Sequence, residues 1–184
     1  MKQFSPVEVA QRFVKSHVKE GDRCVDATLG NGHDSVFMSA LIGDSGKCLG
    51  FDIQASAIES SQRRLAEHGF SDRVVLCNRG HEMLSSELQS LAWPSVQIIM
   101  FNLGYLPGSD KSVITEADST LRALEAGIKV LSRQGAISII AYRGHAGGLS
   151  EYEAVQQWVE GLPPESFFCV RFERGSNQPG QTPV

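Results

Sequence analysis

Two rhythms of apolar residues alternate along this chain. The first is a set of short, near-continuous apolar runs: Arg23 to Ala27, Lys47 to Phe51, Arg73 to Cys77, Val96 to Phe101, Gly135 to Tyr142 and Phe167 to Phe172. Runs of that length bounded by Gly, Asp and Asn predict strands, and the unbroken character of Val96–Phe101 predicts a strand covered on both faces. The second rhythm is helical. Val7, Val9, Ala10, Phe13, Val14 and Val18 give one apolar stripe between Pro6 and Lys19. Further helices are predicted from about Gly32 to Ile42, Ser56 to Glu67, His81 to Leu91, Ile114 to Leu131 and Leu149 to Val159, with Gly69 and Pro163-Pro164 as stops.

Strand and helix alternate with short connections throughout. That order predicts an α/β fold, a doubly wound, mostly parallel sheet with helices on both faces. In such sheets a ligand lies beyond the carboxyl ends of the strands, where the strand order switches. The residues to watch are therefore those at strand ends: Asp26–Gly32, Asp52–Gln54, Asn78–His81, Asn102–Tyr105 and Tyr142–Gly148. No repeat, low-complexity segment or linker divides the chain, so residues 1–184 are expected to form one domain, with Gly175–Val184 a mobile or rearranged tail.

Composition narrows the picture in a few ways. With 184 residues, 41% of them hydrophobic, the chain can bury a core. The net charge of −4 and the absence of a basic tract mean that any nucleic-acid contact must come from a local patch. No apolar run is long enough for a bilayer, and the first residues carry no signal-peptide pattern, so no membrane contact and a cytoplasmic location are expected. Cys24, Cys48, Cys77 and Cys169 all fall in expected strands at spacings unsuited to a metal, and they read as small apolar core residues; no metal site is expected.

The stretch Val25-Asp26-Ala27-Thr28-Leu29-Gly30-Asn31-Gly32-His33-Asp34 carries the chemistry. A strand ends, Gly30 and Gly32 permit a turn that larger residues resist, and a helix begins with its N–H groups unpaired. About twenty residues later the next strand closes on Asp52, the spacing of a ribose-binding acid. A dinucleotide site would place a third Gly where Ser35 stands. The competing reading is structural: Asp26 capping its turn and Asp52 capping the following helix.

The acid-x-x-x-Gly-x-Gly turn resembles the first motif of S-adenosylmethionine-dependent methyltransferases of the Rossmann-like class I fold. The resemblance implies a cofactor seated against Asp26, Thr28, Gly30, Asn31, Gly32, His33 and Asp34. It adds Asp52, Ile53 and Gln54 at the ribose, Gly80 and His81 beside the adenine, and Asn102. The end of the fourth strand, Asn102-Leu103-Gly104-Tyr105-Leu106-Pro107-Gly108, resembles the Asn-Pro-Pro-aromatic motif of nitrogen methyltransferases, without its prolines. There the Asn oxygen and the next carbonyl accept the two amine hydrogens and aim the lone pair, while the aromatic ring stacks on the base. Asn102, Leu103 and Tyr105 take these roles by resemblance. An aliphatic amine is mostly protonated at neutral pH, so a base is needed; Asp110 and His145 are the two candidates, with an ordinary loop histidine as the alternative for His145. Lys111, Arg122, Lys129 and Arg143 are candidate phosphate contacts if they cluster at the cleft, and solvated surface charge otherwise.

The Gly turn, Asp52-x-Gln54, Asn102–Lys111 and Tyr142-x-Gly144-His145-x-Gly147-Gly148 together are similar to a bacterial family described as rRNA methylase. Its members are understood as tRNA methyltransferases acting on the wobble uridine. The likeness runs from Pro6 to about Asn177. It implies methylation of a 5-aminomethyl group on the wobble (2-thio)uridine of tRNA. Spacing alone reaches methyl transfer to an amine. Another RNA base, a small-molecule amine, and a non-catalytic RNA-binding module remain the alternatives. Folds of this class end with an antiparallel strand, and the sequence stops at Pro183-Val184 where that strand would begin. Either the strand is cut off or the edge is left open, and an open edge invites a homodimer.

Overall fold

The computed structural model describes residues 4–104 and 114–172. Its centre is a five-stranded sheet in the order β3-β2-β1-β4-β5, with every neighbouring pair parallel. The strands are β1 (Arg23–Asp26), β2 (Lys47–Phe51), β3 (Val74–Cys77), β4 (Val96–Leu103) and β5 (Leu131–Ala141). The helices are α1 (Pro6–His17), α2 (His33–Ile42), α3 (Ala55–Glu67), α4 (Leu84–Ser90), α5 (Ala117–Val130) and α6 (Gly148–Glu160).

Local chemistry explains the entry into α1. Ser5 accepts from Glu8 N at 3.1 Å, Glu8 Oε2 accepts from Ser5 N at 2.8 Å, and Pro6 opens the helix. This is a reciprocal cap that satisfies two otherwise orphaned donors. The sheet then sorts its side chains by pleat. Cys24, Cys48, Ile98 and Met100 meet Val14 of α1, Met38 and Ile42 of α2 and Leu65 of α3. Val25, Leu49, Phe51, Ile99, Phe101 and Leu103 meet Leu84 and Leu88 of α4, Ala123 and Leu124 of α5 and Val155 of α6. Burial on both faces is what the continuous apolar run of β4 anticipates.

β1 and β4 lie side by side, paired through Cys24–Ile98, Val25–Ile99 and Asp26–Met100. From β1 the chain winds outward through β2 to β3; from β4 it winds the other way to β5. The switch point therefore lies between the carboxyl ends of β1 and β4. Gly50 serves this junction: a Cβ there would meet Leu29 Cδ1 at 2.8 Å, so β2 leaves room for the turn that follows β1.

Several boundaries differ from the sequence reading. β4 runs on to Leu103, and α5 begins at Ala117, because Thr115 N donates to Gly104 O at 3.0 Å and keeps that segment extended. β5 begins at Leu131 rather than Gly135. Its first residues pair Val96 with Leu131 before the register jumps to Ile98–Ala136, and the polar Ser132-Arg133-Gln134 bulge hides the strand from an apolar pattern. Gln97 Nε2 fastens the bulge by donating to Gln134 O at 3.0 Å.

The expected sixth strand is a correction. Phe167–Phe172 forms no strand, and Phe168 is 93% exposed. A strand exists by pairing, and among the described residues nothing lies along the outer edge of β5 for this segment to join. Cys169 is accordingly exposed, whereas Cys24, Cys48 and Cys77 are buried as expected. The last antiparallel strand and the tail lie outside the described residues. No described helix is long and apolar enough to cross a membrane.

Candidate active site

A crevice opens at the switch point. It is walled by Ala27, Thr28 and Gly30 after β1, by Phe51 and Asp52–Gln54 after β2, by Arg79–Glu82 after β3, and by Asn102, Gly104, Ile114, Thr115 and Ser119 on the β4 side. Among the residues expected in the site, Asn102, Thr28, Gly30, Asp52, Ile53, Gln54, Gly80 and His81 share it.

The glycine turn is held from behind by α3. Ser61 Oγ donates to Gly30 O at 3.0 Å, Arg64 Nε donates to Asn31 O at 2.7 Å, and Ser60 Oγ donates to Asn31 Oδ1 at 3.1 Å. Gly32 caps α2 with φ 76°, and a Cβ there would meet Ser61 Oγ at 2.7 Å, so both conformation and space demand glycine. Asn31, Gly32 and His33 thus build the turn without lining the crevice.

Asp26 is placed beneath the turn, fully buried, rather than in the crevice. It accepts from Ser35 Oγ at 2.7 Å and from Thr28 N at 3.4 Å. Burial, with the Asp34 carboxylate adding to it, pushes its pKa up to about 7. Asp52 is half-buried at the crevice wall. Its two oxygens accept from Gly30 N and Gln54 N, each at 2.9 Å, and burial moves its pKa upward. Each oxygen keeps a further lone pair for a ligand hydroxyl. Asn78 Nδ2 donates to Asp52 O at 2.9 Å and ties the ends of β2 and β3 together.

His81 is buried beside Phe101, the two rings edge to face with their centroids 5.6 Å apart. Its Nδ1 lies 3.0 Å from Ala27 O, and a carbonyl only accepts, so Nδ1 carries the proton. Burial lowers its pKa, which keeps the ring neutral.

Asn102 has the most informative environment. Its backbone N donates to Thr28 Oγ1 at 2.7 Å, and its Nδ2 donates to Asp34 Oδ2 at 2.8 Å. Gln11 Nε2 donates to the other Asp34 oxygen at 2.9 Å. A carboxylate takes only donors, so Asp34 fixes which way the amide faces. Asn102 Oδ1 is then left buried with no partner among the described residues. An orphaned buried acceptor is costly, on the order of 1–3 kcal/mol, and is tolerable where a ligand donor completes it.

Leu103 does not itself line the crevice, and its carbonyl accepts from Tyr142 N at 3.1 Å in the β4–β5 ladder, which leaves one further lone pair on that oxygen. Tyr142 and His145 flank Gly104: a Cβ there would meet Tyr142 Cδ2 at 3.4 Å and His145 Nε2 at 3.7 Å. His145 is thereby brought to the end of β4. Tyr105, Asp110 and Lys111 lie outside the described residues. The expected cations do not assemble at the crevice among the described residues: Arg122 pairs with Asp118, and Arg143 stacks on Tyr152. Arg79 does line it, paired with Glu87 at 2.9 Å. Sequence reasoning also missed Ile114, Thr115 and Ser119, which a helical pattern starting at Ile114 had absorbed; their nearness to the end of β4 was the available signal.

A family model described as "Putative rRNA methylase" matches residues 48–184. The chain belongs to this family. The chain is 38% identical over 174 residues to the Arabidopsis thaliana protein "tRNA (mnm(5)s(2)U34)-methyltransferase, chloroplastic", a match spanning 90% of this chain and 63% of the relative. Its fold superimposes on the crystal structure of a Clostridium thermocellum protein described as "putative rRNA-methylase" with a TM-score of 0.92, at 34% identity, covering 100% of this chain and 96% of that one. A Streptococcus mutans protein described as "a putative methyltransferase", solved in complex with S-adenosylhomocysteine (SAH), matches at a TM-score of 0.84 and 30% identity, over 99% of this chain and 96% of that one. Family and complex together make S-adenosylmethionine the cofactor. The residues present fit it: Asp52 retains acceptor capacity for a ribose diol, and the neutral His81 and the side chain of Ile53 wall the same crevice without adding charge.

Proposed function

We propose that this methylase transfers a methyl group to the exocyclic nitrogen of a 5-aminomethyl group on the wobble (2-thio)uridine of tRNA. The coarser part, methyl transfer to RNA, is supported by the family. The uridine substrate is supported by the plant relative, of which the chain spans 63%. The observation that carries the amine is the buried, unpartnered Oδ1 of Asn102, a residue of the crevice wall at the end of β4.

Bound S-adenosylmethionine supplies an electrophilic sulfonium methyl. Asn102 Oδ1 accepts one N–H of the amine and so aims the nitrogen lone pair; Asp34 holds the amide in that sense. Asp52 holds the ribose, and His81, proton on Nδ1, stays neutral beside the base of the cofactor. The incoming aminium must lose a proton before attack, since a free amine of this kind has a pKa of about 10. Of the candidate bases Asp110 and His145, the second is favoured by its nearness to Gly104. Tyr105 is assigned to stacking on the uracil.

Nucleoside mass spectrometry of tRNA incubated with the protein and S-adenosylmethionine tests the assignment. The expected product is the methylaminomethyl nucleoside, at the expense of aminomethyluridine. Methyl appearing in another nucleoside, or in a small amine only, would replace this substrate.

A further inference from the structure

Glu151, in the first turn of α6, is 2% exposed and does not line the crevice. None of the ion pairs among the described residues includes it. A buried carboxylate without a cation survives only if its oxygens are hydrogen-bonded. Here both are: Thr115 Oγ1 donates to Oε2 at 2.5 Å and Thr120 Oγ1 donates to Oε1 at 2.7 Å. Such short, charge-assisted bonds are directional.

The two threonines lead to the site by different routes. Thr115 is itself a wall of the crevice, between Ile114 and Ser119, and its N–H is anchored on Gly104 O at 3.0 Å. Thr120 sits in the first turn of α5, fully buried, with its oxygen 3.4 Å from His81 Nε2. Its single hydroxyl hydrogen goes to Glu151 and Nε2 is the unprotonated nitrogen of the neutral ring, so Thr120 meets His81 as a packing neighbour and not through a hydrogen bond. His81 in turn bonds Ala27 O, at the start of the glycine turn.

We infer that Glu151 is a positioning residue for the cofactor: through Thr115 and Thr120 it clasps the Ile114–Thr120 wall of the crevice and holds that wall packed beside His81. The inference rests on the crevice being the S-adenosylmethionine site, and not on the identity of the methyl acceptor. Gln is the same shape but offers one acceptor oxygen and one donor. One threonine hydroxyl must then rotate, and the wall loses its fixed distance from His81.

SAH binding by calorimetry reads this without any acceptor. Glu151→Gln and Thr120→Val are each expected to weaken SAH by about tenfold at a stoichiometry of one, and the double variant by no more than about twofold further, because both remove one linkage. Hydrogen exchange at the Thr115 and Thr120 amides should quicken in Glu151→Gln while β2 amides stay protected. In turnover, KM for S-adenosylmethionine should rise with kcat within about twofold, whereas a merely destabilised protein loses active fraction at unchanged KM. Unchanged SAH affinity in folded Glu151→Gln, or losses that simply add in the double variant, overturns the inference. If Glu151→Gln does not fold, Thr120→Val decides alone, and unchanged affinity there overturns it. Normal SAH effects with no methylation of tRNA would instead remove the uridine assignment and leave this one standing.

Discussion

At Asn102 the orientation of a side-chain amide is decided by its neighbour. The amide nitrogen has a carboxylate to donate to, so the oxygen is the end turned away from Asp34, on a residue that walls the crevice together with Gly30 and Asp52. Replacing Asn102 by Ala removes the acceptor and should lower kcat by about 10²-fold while SAH affinity stays within about threefold. Asp34→Asn keeps the contact but lets the Asn102 amide pair either way round, so a smaller loss of about tenfold is expected. Single-turnover methyl transfer checks both, and an Asn102→Ala enzyme within about twofold of wild type would remove the residue from the reaction. Asp26 carries a different consequence. Its pKa rises from 3.8 to about 7 on folding, so between those values the native state binds more protons than the unfolded one. Stability from this group is full below about pH 4 and is lost as pH rises through 7, a change of a few kcal/mol at most. Chemical denaturation of wild type and Asp26→Asn across that range isolates it: the difference between the two should shrink in the wild type's disfavour as pH rises, and a pH-independent difference would refute the shift.

Elements were legible where one physical signal dominated. The strand ends at Asp26 and Asp52 could be read because an apolar run stops on an acid, and α1 because Ser5-Pro6-x-Glu8 is a cap that needs no partner elsewhere in the fold. Where tertiary contacts override pattern, the reading slipped. β5 gained Leu131–Gln134 because Gln97 holds a polar bulge that no periodicity marks, and the Ile114–Thr115 segment is extended because Gly104 O takes its N–H. Phe167–Phe172 has the composition of a strand and no described neighbour to make it one. The site shows the same division. The glycine turn, Asp52 and Asn102 stand on elements whose ends the sequence marks, so they were found. Glu151 reaches the crevice only through two threonines from other parts of the chain, and the Leu103 carbonyl shares itself with a ladder bond from Tyr142, neither of which leaves a trace in spacing.

On the scale of the whole molecule, the crevice is a seam between two halves of one sheet. β1, β2 and β3 bring the glycine turn, Asp52 and His81; β4, with the segment after it, brings Asn102, Thr115 and Ser119. A ligand lying in the seam touches both halves, so binding must stabilise the fold as a unit. For a ligand at about a hundred times its Kd the gain is about 2.7 kcal/mol, which for a domain of this size is a rise of about 5–11 °C in Tm. The seam also divides the labour, and that makes the thermal shift diagnostic. SAH should raise the Tm of wild type and of Asn102→Ala alike, since Asn102 is assigned to the acceptor. It should raise that of Asp52→Ala far less, because the carboxylate that keeps lone pairs for the ribose is gone while Gly30 N and Gln54 N lose their own acceptor. A full shift in Asp52→Ala would move the cofactor off the β2 end, and a shift lost in Asn102→Ala would place Asn102 on the cofactor rather than on the amine.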